Sequence, residues 1–174
     1  MIALQVIAIA VGLIVLELAI VGIAPGFAVP KQPLKGARQK GGKASEQTHS
    51  KRKDINFQVD GTPLSAWLYL PDDLSALVPC IVMVHGFGGT KSMSLDDYAV
   101  RYREAGFAVL ALDYRYFGGS GGKPRQLFSA ALQLEDIAAA IDYARQIPEV
   151  NPKKIALWGT SAGGGHVVLA AAKD

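Results

Sequence analysis

The chain has 174 residues, with 18 Lys and Arg against 15 Asp and Glu, one cysteine, and half of its residues apolar. That length suits a single domain, and the apolar content beside a net charge of only +3 excludes disorder throughout. A lone Cys80 excludes an intrachain disulfide and a cysteine-based metal cluster.

The basic balance is local. Residues 1–30 carry one charged side chain, Glu17, and residues 31–53 carry eight basic side chains against Glu46. Residues 54–174 carry 10 basic and 13 acidic side chains. Nucleic-acid binding would need basic groups gathered on a folded face or a recognisable motif. Neither is present, so no nucleic-acid partner is expected.

Residues 1–24 form an apolar run of roughly the 20 residues that cross a bilayer. No Lys or Arg precedes it, which favours an uncleaved transmembrane anchor over a signal peptide that would export the chain. A buried core helix is the weaker reading, because soluble helices of this length keep a polar face. Pro25 and Gly26 break the run. The basic residues all follow it, so the positive-inside rule places the rest of the chain on the cytoplasmic side, against membrane lipid. Glu17 faces a partner helix or is protonated near a helix end; both readings stand. Residues 25–53, rich in Lys, Gly, Ser and Gln without apolar period, read as a basic flexible linker.

From Asp54 the pattern changes. Ile55–Val59 alternates, Asp60-Gly61 is a hairpin signal, and Leu64–Leu70 follows, so an antiparallel hairpin opens the domain. Cys80–Val84, Phe107–Tyr114 and Lys154–Trp158 are apolar runs suited to strands buried on both faces. Helical spacing covers Ser94–Ala105, with Leu95, Tyr98, Ala99 and Tyr102 on one face and Gly106 as its stop. It also covers Leu132–Ile147, with Leu134, Ile137, Ile141 and Ala144 on one face, and Pro148 and Pro152 bracket the next turn. Strands alternating with helices predict an α/β architecture with parallel βαβ units.

Two motifs carry chemistry. Gly159-Thr-Ser161-Ala-Gly163 follows a predicted strand and opens a predicted helix. A sharp turn there would present the Ser161 hydroxyl as a nucleophile and crowd the positions two before and two after, which calls for Gly159 and Gly163. A glycine-rich turn with an ordinary N-cap serine is the bland reading, disfavoured by that strand–helix context. His85-Gly86-Phe87-Gly88-Gly89 follows an earlier strand, where Gly86 and Gly88 would let the backbone approach a substrate oxygen. The N–H groups of Phe87 and Ala162 are the candidate oxyanion hole. His85 is expected to hold the loop, and His166, on the helix after the elbow, to point away from Ser161. Asp174 is expected to fray.

His85–Gly89, Leu112–Gly122 and Gly159–Gly164 together resemble the α/β-hydrolase superfamily over residues 54–174. Within it they are similar to the serine aminopeptidase-like, dienelactone-hydrolase-like and acetyl-xylan-esterase-like bacterial hydrolases. The resemblance implies the N-terminal half of an α/β-hydrolase fold, Ser161 as nucleophile, and a structural Asp113. Tyr116 stands where a glycine is usual. It also implies a downstream acid and base, which the thirteen residues after Ser161 do not supply.

The sequence therefore predicts a membrane-anchored serine hydrolase acting on a small-molecule ester or amide through an acyl-enzyme, with no metal or organic cofactor. The 174 residues would be an inactive N-terminal fragment of it. The alternative is a non-catalytic truncated protein that binds a partner or acyl ligand at the membrane. Phe87, Tyr116 and Phe117 are candidate walls of an acyl pocket.

Overall fold

The computed structural model describes residues 52–174. The apolar run at 1–24 and nearly all of the basic stretch lie outside them. Among the described residues, no helix is long and apolar enough to cross a membrane.

The strands are β1 (Arg52–Val59), β2 (Thr62–Tyr69), β3 (Val78–Val84), β4 (Ala108–Leu112) and β5 (Val150–Gly159). The helices are α1 (Leu95–Glu104), α2 (Ala130–Arg145) and α3 (Ala162–Ala171). They form one five-stranded sheet in the order β1-β2-β4-β3-β5. β1 and β2 pair antiparallel, β2 pairs antiparallel with β4, and β4, β3 and β5 run parallel. The first strand begins at Arg52, ahead of the alternation that opens at Ile55.

The hairpin turn follows from its residues. Asp60 and Gly61 have φ of 47° and 74°, and Val59 pairs with Thr62, so a two-residue turn with both centres left-handed joins β1 to β2. Helix α1 ends as Gly106 predicts. At φ 90° Gly106 donates to the Arg103 carbonyl and Phe107 donates to Tyr102, each at 3.0 Å. Those paired bonds satisfy carbonyls that the helix end leaves open.

The apolar runs of β3 and β4 are continuous because both faces are covered. Cys80, Val82 and Val84 turn toward the core that includes Ile137, Ile141 and Ala170 of α2 and α3. Ile81 and Met83 turn to the other side, where Leu95, Ala99 and Val100 of α1 pack. Alternate side chains of a strand face opposite ways, so each run needs apolar residues throughout. Burial pushes the Cys80 thiol up to about 12, which leaves it an inert core residue.

Three details differ from the sequence reading. Tyr98 is not on the buried face of α1; it is exposed and its ring lies 5.0 Å from Trp158, while Val100 takes its place in the core. Strand β5 is less buried than predicted, with Ala156 exposed and Ile155 and Leu157 half-buried, since among the described residues it has one neighbouring strand. Pro152 does not lie in the turn. It sits within β5, where the pairing with β3 shifts between Val78 and Cys80. A proline cannot donate to the ladder and is tolerated at such an irregularity.

Candidate active site

Adjacent parallel strands bring the two glycine motifs together. Val84, the last residue of β3, pairs with Gly159, the last of β5. The loops that leave both strands therefore emerge side by side at the carboxyl edge of the sheet, where open α/β sheets hold their ligands. The Thr160 N–H reaches the Val84 carbonyl at 3.4 Å.

Ser161 sits between β5 and α3 with φ 52° and ψ −124°. That is the first central position of a II′ turn, a conformation normally left to glycine. A non-glycine residue held there stores on the order of 1–3 kcal/mol of strain. Its side chain is exposed. The flanking glycines have no alternative. A β-carbon on Gly159 would run into the Gly163 backbone, and one on Gly163 would lie 2.5 Å from the His85 carbonyl oxygen. A β-carbon on Gly86 would lie 3.0 Å from that of Ser161, so the loop after β3 rests directly against the Ser161 turn.

Phe87 follows at the tip of that loop, 71% exposed, with Gly88 at φ 66° beyond it. The Gly89 N–H closes the turn onto the Gly86 carbonyl at 3.2 Å. Ala162 is the first residue of α3, where helix N–H groups lack an intrahelical acceptor and favour negative charge.

The two histidines of this region are both buried. His85 is buried, its Nδ1 lies 2.9 Å from the Gly86 carbonyl, and the Tyr114 N–H approaches its Nε2 at 3.5 Å. A neutral ring protonated at Nδ1 satisfies both contacts. Burial holds its pKa below the ordinary histidine value, against the opposing pull of the Gly86 carbonyl and Asp113. His166 faces the core of α3 between the rings of Tyr114 and Phe128, 6.0 and 6.2 Å away. Burial depresses its pKa as well. Its Nδ1 and the Tyr114 hydroxyl are buried without a hydrogen-bond partner among the described residues. Asp174 is not frayed: it pairs with Arg145 at 2.6 Å.

Asp113 organises the loop after β4. One carboxylate oxygen accepts from the Lys91 N–H at 2.6 Å; the other accepts from Lys91 Nζ at 2.6 Å and from the Gly119 N–H at 2.8 Å. A β-carbon on Gly118, at φ 49°, would collide with that carboxylate. Ser120 donates to the Asp113 carbonyl at 2.6 Å and accepts the Ser65 N–H at 2.8 Å, which ties the loop to β2. Tyr116 has φ 73°, which accounts for a glycine being usual there.

Sequence reasoning missed the tie beside it. Arg115 donates through its N–H and Nε to Asp136 of α2 at 2.9 and 2.6 Å, with Glu135 as a further partner at 3.0 Å. Burial raises the Asp136 pKa despite the guanidinium. A carboxylate in the apolar face of α2, one residue before Ile137, was the available signal. The acyl-wall candidates also change. Phe117 is buried with its ring 6.0 Å from that of His85, and Tyr116 lies over Gly122. Phe128, unassigned from sequence, lies against Phe87 with ring centroids 4.7 Å apart.

A mixed sheet whose parallel strands carry a strained serine at their carboxyl edge, with a glycine loop beside it, defines an α/β hydrolase. The family pattern BD-FAE matches residues 67–174, and the chain belongs to that family. It is 49% identical over 121 residues to the quorum-quenching protein AidA of Acinetobacter baumannii, covering 70% of this chain and 40% of AidA. Among solved structures, the α/β hydrolase GrgF from Penicillium sp. sh18 superposes with a TM-score of 0.66 at 37% identity, over 71% of this chain and 42% of GrgF. Est1E from Butyrivibrio proteoclasticus, solved with ferulic acid bound, gives 0.61 at 30% identity, over 68% of this chain and 47% of Est1E. The chain thus spans less than half the length of each.

Proposed function

We propose that Ser161 is the nucleophile of a serine hydrolase that cleaves a small-molecule carboxylic ester, with an amide as the second candidate bond. The observation that carries this is the left-handed Ser161 backbone, wedged between glycines and set against the His85–Gly89 loop. Strain of this kind is retained where it presents a reactive group. The kinship with Est1E, solved with ferulic acid bound, supports a small organic substrate.

In the proposed reaction the Ser161 hydroxyl oxygen attacks the ester carbonyl carbon as its proton passes to a base. The tetrahedral oxyanion accepts hydrogen bonds from the Phe87 and Ala162 N–H groups. Collapse expels the alcohol, which takes the proton, and leaves an acyl-serine. Water then attacks the acyl carbon, giving the free acid and restoring the serine. The base is neither His85, whose nitrogens are both engaged, nor His166, which is buried away from solvent. The proposal leaves acid and base to residues outside those described, in keeping with a chain that spans less than half the length of AidA, GrgF and Est1E.

Labelling of the full-length gene product by a fluorophosphonate probe tests the assignment. Ser161→Ala should abolish labelling, and unchanged labelling rejects the nucleophile. That no base stands beside Ser161 among the described residues favours one second reading, a non-catalytic protein that binds an acyl ligand. Turnover of p-nitrophenyl acetate by the full-length protein, lost in Ser161→Ala, decides against it.

We further propose that residues 1–24 anchor the protein as a single-pass helix with the hydrolase domain on the cytoplasmic side. The apolar run and the basic residues that follow it support this. Carbonate extraction that releases the protein from membranes would contradict it.

A further inference from the structure

We propose that Phe87 and Phe128 form an apolar subsite that receives the acyl chain of the substrate; this rests on Ser161 being the nucleophile. The two residues come from different loops, one after β3 and one just before α2. Their rings meet at 4.7 Å between centroids with a tilt of 57°. Phe87 is 71% exposed and Phe128 39%, so the pair offers aromatic surface to solvent. Scattered exposed apolar residues are ordinary, whereas a joined patch marks a place where something binds.

Its location identifies the occupant. Phe128 stacks on His166, with centroids 6.2 Å apart and planes 26° apart, and His166 belongs to the helix that starts at Ala162. Phe87 follows Gly86, whose α-carbon faces Ser161. The pair therefore bridges the two backbone segments that flank the serine. In the proposed arrangement a group attached to a carbonyl carbon bonded to Ser161 lies along these rings. Neither ring offers a hydrogen bond, so an alkyl chain gains by leaving water and a polar or very short acyl group gains little.

Kinetics of the full-length gene product on p-nitrophenyl octanoate and p-nitrophenyl acetate test this, because the leaving group is constant and only the acyl chain changes. In Phe128→Ala the octanoate-to-acetate ratio of kcat/KM should fall about tenfold, as expected for exposing part of an aromatic contact. Phe87→Ala should lower the same ratio; its side chain is mostly in solvent, so folding is not at stake. Phe128→Leu should hold the ratio within about threefold, since apolar surface remains. An unchanged ratio in both alanine variants overturns the subsite, as does an equal loss on both esters, which would mean a structural role or coverage by other parts of the chain. Ser161→Ala reads the underlying assignment separately: turnover that survives it overturns the nucleophile, whatever the ratio does.

Discussion

Gly163 has to be a glycine for a reason that lies far back along the chain, in the carbonyl of His85. A β-carbon at 2.5 Å from that oxygen cannot be absorbed by a rotamer change, because both partners are backbone. Gly163→Ala should therefore cost about 2–3 kcal/mol in urea unfolding and separate the two motifs, lowering fluorophosphonate labelling of Ser161 by more than the stability loss explains. Gly88 is the contrasting case. It has φ 66° but open space around its α-carbon, so Gly88→Ala pays only the left-handed backbone penalty, on the order of 1 kcal/mol. Tyr114 makes a third residue-level test. Its hydroxyl is buried without a partner among the described residues, so Tyr114→Phe should leave the unfolding midpoint unchanged or raise it.

Between elements, the contact that matters most is the Arg115–Asp136 pair, which joins the loop after β4 to helix α2. Arg115 is 5% exposed and the Asp136 carboxylate fully buried, so removing Asp136 leaves a buried guanidinium to the more exposed Glu135 and Asp60. Asp136→Asn should lose about 3 kcal/mol, read from chemical denaturation. Arg115→Met combined with Asp136→Leu should lose less than Asp136→Asn alone, since the cost comes mostly from the unpaired charge. This pair also shows the limit of pattern reading. Helical spacing located α2 and its apolar stripe of Ile137, Ile141 and Ala144, but Asp136 faces inward with them. Periodicity registers apolar residues and is silent about a carboxylate whose burial is made acceptable by a guanidinium 21 positions away in sequence. Strand β5 failed for a related reason: its composition is that of a buried strand, while its exposure depends on what lies beside it.

At the scale of the whole described domain, His85 and His166 set the pH response near neutrality. Burial holds both rings below the ordinary histidine value, so below pH 6.5 the unfolded chain binds protons that the folded chain refuses. Stability is then fully present above the unfolded value and is lost as pH falls toward the folded one, by at most about 1.4 kcal/mol per pH unit for each histidine. The melting temperature should drop between pH 7.5 and 5.5, and His166→Phe should flatten that slope. An equal slope in the variant would remove His166 from the account. Asp136 works in the opposite sense at lower pH, because its raised folded value makes the folded state the better proton binder there.

The residues alone were enough to establish the alternation of strands and helices, the Asp60-Gly61 turn, the Gly106 stop and the Gly159–Gly163 elbow. Each depends on local backbone preference, which a few neighbouring residues specify. The tertiary structure decided what depends on distant partners: that β3 and β5 are adjacent and place Gly86 against Ser161, that Asp113 holds Lys91 and Gly119, and that Phe128 rather than Phe117 meets Phe87. Spacing along a chain constrains which backbone shapes are affordable, but contacts across it follow from how the sheet orders its strands, and the order β1-β2-β4-β3-β5 is written in no single segment.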